Sequence, residues 1–100
     1  MAKQVIAEIT AVPLGTGSTS LSRYVRIAQQ VIEQSGLDYQ LCPMGTCVQG
    51  DLGTILETVK RIHEALARAG CARISTQLKL DDRRDKDRTM QDKVDAVLKR

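Results

Sequence analysis

Three cysteines, one histidine and one hydroxyl-rich loop are the residues here with obvious reactive or ligand-holding chemistry. Cys42 and Cys47 are separated by four residues, wider than a zinc knuckle, and a zinc site needs more ligands than the lone His63 can add. An odd number of cysteines without an export signal argues against a disulfide framework. Cys42, Cys47 and Cys71 therefore read as buried small thiols. Nucleophilic catalysis needs a base placed beside its nucleophile. His63 has no such partner in view and lies one helical turn from Val59 and from Leu66, so it reads as a core-edge residue and no enzyme is expected. The loop Gly15-Thr16-Gly17-Ser18-Thr19-Ser20 could hold a phosphate or carboxylate on backbone N–H groups. It has no lysine where a P-loop needs one, so capping of the next helix by Ser18, Thr19 or Ser20 is the stronger reading.

The elements that must position these groups are arranged around the stretch from Tyr39 to Asp51. Two extended runs, Leu37–Cys42 and Thr46–Gly50, flank a turn at Pro43-Met44-Gly45, which is the pattern of a β-hairpin. Proline suits the turn's second position, and Gly45 is expected to supply a positive φ. Asp51 is placed to cap the following helix, because its carboxylate can accept from N–H groups that lack helical partners.

On either side lies one strand followed or preceded by one helix. In residues 3–12, Val5, Ala7, Ile9 and Ala11 form an apolar face opposite a mixed face of Gln4, Ile6, Glu8, Thr10 and Val12. That mixed face is too apolar to suit water alone and is consistent with cover by another subunit. From Leu21 to Ser35, Leu21, Tyr24, Val25, Ala28, Val31 and Ile32 make a helical stripe, closed by Gly36. A second helix spans Leu52 to Ala69, with Ile55, Leu56, Val59, Ile62 and Leu66 on one face and Gly70 beyond its end. Residues 73–80 alternate as a strand, with Ile74, Thr76, Leu78 and Leu80 on one side. A mixed-charge run from Asp81 to Arg88 follows, and reads as a solvated loop or an intersubunit salt-bridge cluster. Thr89, with Asp92 three residues on, can cap a last helix carrying Met90, Val94, Val97 and Leu98.

Strand, helix, strand, strand, helix, strand is the split pattern of a ferredoxin-like α+β sandwich, here with an added C-terminal helix. Two helices should cover one face of an antiparallel sheet. The loop Gly15–Ser20, the turn Pro43–Thr46 and the segment Asp81–Asp85 are expected to meet at one edge as a site or interface. Tyr39, Thr46 and Thr76 are the expected polar exceptions on the inner face. Two readings of them stand: bonding to neighbouring backbone, or lining a pocket between sheet and helices where a few polar groups orient an apolar ligand.

The bulk properties exclude several other classes. One hundred residues make one domain, with residues 1–100 as a single unit. The two tyrosines, with no Phe or Trp, leave no aromatic platform for single-stranded nucleic acid. A net charge of +3 is a solubility feature rather than a nucleic-acid footprint. No apolar run approaches the roughly 20 residues of a membrane span. The start of the chain lacks a signal-peptide pattern, so a cytoplasmic protein is expected.

Four segments, the P-x-G-T-G-S-T-S loop, SGLDYQLCPMGTCVQGD, HEAL and RISTQLKLDDRRDK, together resemble the small thiamine-binding-protein family, single-domain relatives of the bacterial YkoF protein. The resemblance implies the ferredoxin-like fold and homo-oligomers, dimers joining into tetramers through their sheets. It also implies a non-catalytic carrier, buffer or sensor for thiamine or its hydroxymethylpyrimidine moiety, with no further cofactor. Tyr39 would contact the ring, Thr46 and Thr76 would hydrogen-bond it, and Ser18 and Ser20 would form a rim or hold a phosphate. Gln49 stands where the family's T-x-x-E-G pattern has a carboxylate; a neutral amide there can hydrogen-bond but adds no charge attraction. The alternative is an oligomeric structural or regulatory protein with no small ligand.

Overall fold

The computed structural model describes residues 4–99; Lys3, the first residue of the strand expected from the sequence, lies outside them. The elements run β1 (Val5–Pro13), α1 (Ser22–Glu33), β2 (Asp38–Cys42), β3 (Gly45–Gly50), α2 (Leu52–Arg68), β4 (Ile74–Asp81) and α3 (Met90–Leu98). The strands form one antiparallel sheet in the order β2-β3-β1-β4. This is the ferredoxin-like order expected from the sequence. Val5, Ala7 and Ile9 of β1 and Val48 of β3 join Ile32 of α1 and Ile55, Ile62 and Leu66 of α2 in the core between sheet and helices.

Local signals set most boundaries. Asp51 caps α2 by accepting from the Thr54 N–H at 3.1 Å. At the other end of α2, Gly70 takes φ +100, its N–H reaches the Ala67 carbonyl, and the Cys71 N–H reaches that of Leu66. This is a Schellman ending, and it buries Cys71. Cys42 and Cys47, expected to be buried, are only half-buried; they lie on the sheet face away from α1 and α2, and all three thiols are free. Burial pushes the Cys47 thiol above its ordinary pKa, and neighbouring Cys42 and Glu8 push it further.

Three expectations need correction. First, none of Ser18, Thr19 and Ser20 caps α1: the cap position is Leu21, with no side-chain cap. The Ser18 hydroxyl instead accepts from the Ser20 N–H at 3.1 Å, a local turn that competes with capping. Second, Gly45 is not at positive φ. Cys42 pairs directly with Gly45, so the turn closes on Pro43 and Met44 alone. Glycine is needed there because a Cβ would lie 2.7 Å from Thr10 Oγ1 and 3.2 Å from the Ile9 carbonyl. Third, Asp81–Asp85 is not at the edge shared by the Gly15–Ser20 loop and the hairpin turn. Ile74 pairs with Pro13 and Asp81 with Ile6, so an antiparallel β4 ends beside the start of β1.

Helix α3 docks on the outer sheet face at that far end. Its capping box joins Thr89 and Asp92, its first N–H reaches Gln49, and Lys93 pairs with Asp81. The hydrogen bond and charge of Lys93 hold the Asp81 carboxyl below the usual range; the Thr89 backbone and hydroxyl do the same for Asp92. A lowered folded-state pKa gives stabilisation that is present above the unfolded value, about 3.9, and lost as pH falls through the lower folded value. Acidification below about pH 4 should therefore free α3 before the sandwich unfolds. Amide exchange of residues 90–98 against pH checks this; protection lost only together with that of α2 would contradict it.

Candidate functional site

A cavity of about 310 Å³ lies between α1, β1 and the β2–β3 hairpin. Ile9, Ala28, Ile32 and Ile62 contribute its apolar walls, and Leu41 and Met44 stand at the hairpin side, both exposed. The turn is fastened across the sheet by the Thr10 hydroxyl, which donates to the Met44 carbonyl at 3.2 Å.

Two polar side chains meet here. Thr46 is 5 % exposed, faces inward beside Ile9, and donates its hydroxyl hydrogen to Gln29 Oε1 at 3.0 Å. Gln29 is half-buried on α1. It follows Val25 by four residues and precedes Ile32 by three, so helical geometry sets it in the same stripe as those apolar residues. The reading of the sequence missed it. A single amide at stripe spacing was the available signal. None of the residues lining the cavity is charged.

Of the residues expected from the sequence, Thr46 alone lines this cavity. Tyr39 pairs with Val48 and so faces the same side, but it stands on the edge strand at 44 % exposure, outside the lining. Thr76 sits opposite Ala11 on the other flank of β1, where its hydroxyl is 2.6 Å from His63 Nε2. That contact accounts for both residues: a partly buried hydroxyl and a core-edge imidazole satisfy each other. Ser18 borders an adjoining open depression of about 560 Å³ at the Gly15–Thr19 loop; this shares Val12 and Leu21 with the cavity. Ser20 borders neither, and its hydroxyl lies 3.5 Å from that of Ser22. Gln49 pairs with Ile6 on the outer face, away from the cavity. It donates to Asp38 at 3.1 Å and accepts from the Met90 N–H at 2.6 Å, so its task in the fold is structural.

The fold and site define a class: a ferredoxin-like sandwich with a small, uncharged, mostly apolar cavity under its sheet. Among the described residues, no group of three or more metal-ligating side chains comes together, and no helix is long and apolar enough to cross a membrane.

The chain belongs to the thiamine-binding protein family, whose profile matches residues 7–98. A UPF0045 protein of Methanothermobacter thermautotrophicus is 47% identical over 94 residues, covering 93% of this chain and 95% of that protein. The UPF0045 protein YqgV of Bacillus subtilis is 38% identical over 98 residues, covering 94% of each. A Methanocaldococcus jannaschii protein of known structure superposes with a TM-score of 0.88 at 36% identity, over 95% of this chain and 96% of that one. A Thermotoga maritima protein, provisionally assigned to thiamine biosynthesis or salvage, superposes with a TM-score of 0.82 at 26% identity, over 94% and 98%.

Proposed function

We propose that this protein is a non-catalytic binding protein for thiamine or its hydroxymethylpyrimidine moiety, acting in the cytoplasm as a carrier, buffer or sensor. The observation that carries this reading is the part-buried Thr46–Gln29 hydrogen bond in a mostly apolar cavity, in a chain of the thiamine-binding family. Such a cavity offers shape and a few directed hydrogen bonds, which is what binding a ring requires. It offers no nucleophile–base pair. Free thiols at Cys42, Cys47 and Cys71 fit a reducing compartment.

Association between copies belongs to the same proposal. Ile6, Val12 and Cys47 leave the outer sheet face partly apolar, and Val94, Val97 and Leu98 of α3 are exposed beside it. A small domain gains stability by covering such surface.

Calorimetric titration of the full chain with thiamine and hydroxymethylpyrimidine tests the reading, with the mass in solution measured in the same buffer. Saturable binding in the micromolar range, about −8 kcal/mol, by a dimer or tetramer is expected. Dissociation constants no better than millimolar for both compounds would retire the ligand. A monomer at all concentrations would retire the assembly.

A further inference from the structure

On the sheet face away from the cavity, and independently of any ligand there, we infer that Cys42 and Cys47 form a two-thiolate site for a soft monovalent cation, Cu(I).

The register brings the pair together. Cys42 of β2 pairs with Gly45, and Cys47 lies two residues further along β3, opposite Gln40. Residues two apart on a strand share a face, so the two thiols are diagonal neighbours on the outer face. Cys42 Sγ lies 3.7 Å from the Gln40 carbonyl, which turns it back along β2 toward Cys47. The two side chains are within hydrogen-bonding reach of each other. Both thiols are free and half-buried, and Cys47 borders an open groove of about 450 Å³. The turn of Pro43 and Met44, fastened by the Thr10 hydroxyl, holds the two strands in this register.

Spacing decides what such a pair can do. Diagonal neighbours on antiparallel strands have Cα atoms about 7–8 Å apart, whereas a disulfide wants less than about 7 Å and sulfurs about 2.0 Å apart. Closing one here would drag the strands together. Two metal–sulfur bonds of about 2.3 Å let one ion hold sulfurs up to about 4.6 Å apart, a span that diagonal thiols reach with the strands in place.

Ligand number then decides the ion. A closed zinc site takes four ligands, and among the described residues no group of three or more His, Cys, Asp and Glu side chains comes together. Cu(I) is the soft ion that thiolates select, and two thiolates in line can hold it. Glu8 stands directly opposite Cys47 on β1 and acts on it by charge, which favours a cation between the sulfurs; Lys79 faces Glu8 from β4, on the side away from the thiols. Binding exchanges two S–H bonds for two Cu–S bonds and releases two protons, and no electron is transferred.

The test is an anaerobic titration of the full, reduced chain with Cu(I) held by bicinchoninate, a coloured competitor. The chain should withdraw one Cu(I) per chain, with sulfur as its nearest ligands in X-ray absorption. Cys42→Ser and Cys47→Ser should each lose this uptake, and Cys71→Ala, which removes the thiol buried at the end of α2, should keep it. No uptake by the unaltered chain would overturn the inference. So would undiminished uptake by either serine variant with a normal melting curve, or uptake lost in a folded Cys71→Ala variant. Zinc held as tightly as Cu(I) would overturn the choice of ion. Ready closure of a Cys42–Cys47 disulfide by glutathione disulfide, with two equivalents of glutathione released, would overturn the argument from spacing and make the pair a redox couple.

Discussion

Leu66→Ala should lower the thermal unfolding midpoint by roughly 10–30 °C, the largest stability effect expected of a single truncation here. Leu66 is 0 % exposed and belongs to the core formed by α2 and the sheet. Removing its isobutyl group forfeits transfer free energy and leaves a cavity, together about 2–5 kcal/mol. A domain of this size holds about 5–15 kcal/mol in all. Alanine is the best helix former, and the Leu66 carbonyl that accepts from Cys71 is unchanged, so the loss reports packing and not helix propensity or the α2 ending. A calorimetric melt decides the matter. A drop of only a few degrees would mean that the space collapses around the shorter side chain and that the core is looser than described.

Thr46→Val is the corresponding substitution for the site. The two side chains have nearly the same shape, but valine cannot donate to Gln29 Oε1. The fold should persist with a loss of about 1 kcal/mol, a typical net value for one hydrogen bond. Ligand affinity should fall roughly tenfold or more, since the Gln29 side chain loses the partner that positions it at the cavity, and about 1.4 kcal/mol is a factor of ten. Unaltered affinity in a variant with a normal melting curve would mean that Thr46 serves packing alone. An oligomer with no ligand would show only the stability change.

Periodicity carried most of the architecture. The alternation in β1 and β4 and the stripes of α1 and α2 identify the core face, and Gly36, Gly70, Asp51 and Thr89 mark ends where the structure also has them. What escaped was information held between elements. Gly45 is explained only by the approach of Thr10 and Ile9, residues on another strand. The placement of Asp81–Asp85 turns on strand direction, and antiparallel neighbours put an end beside a start. The loop hydroxyls looked like caps because serine and threonine favour that role, but Ser18 satisfied a nearer N–H. In the site, Thr46 could be read from its inward phase on β3. Gln29 could not be singled out by residue type, because polar residues on an amphipathic helix are ordinary; only its phase within the stripe distinguishes it. Thr76 is inward as expected, but its hydroxyl is engaged by His63.

The amide of Gln49 ties together two parts of the molecule that are distant in sequence. Its Nε2 holds Asp38 on the edge strand, and its Oε1 holds the first turn of the terminal helix, so a segment near residue 40 and one near residue 90 are latched by a single side chain. An amide can donate through its nitrogen and accept through its oxygen at the same time. A carboxylate at the same position could serve the helix but would set two negative charges against each other at the strand. The edge strand and the appended helix are both weakly covered and would ordinarily open independently at low free energy. Both are held by the same side chain at residue 49. An outer-face residue that stands away from the cavity thus ties the periphery of the domain together, apart from anything it does for a ligand.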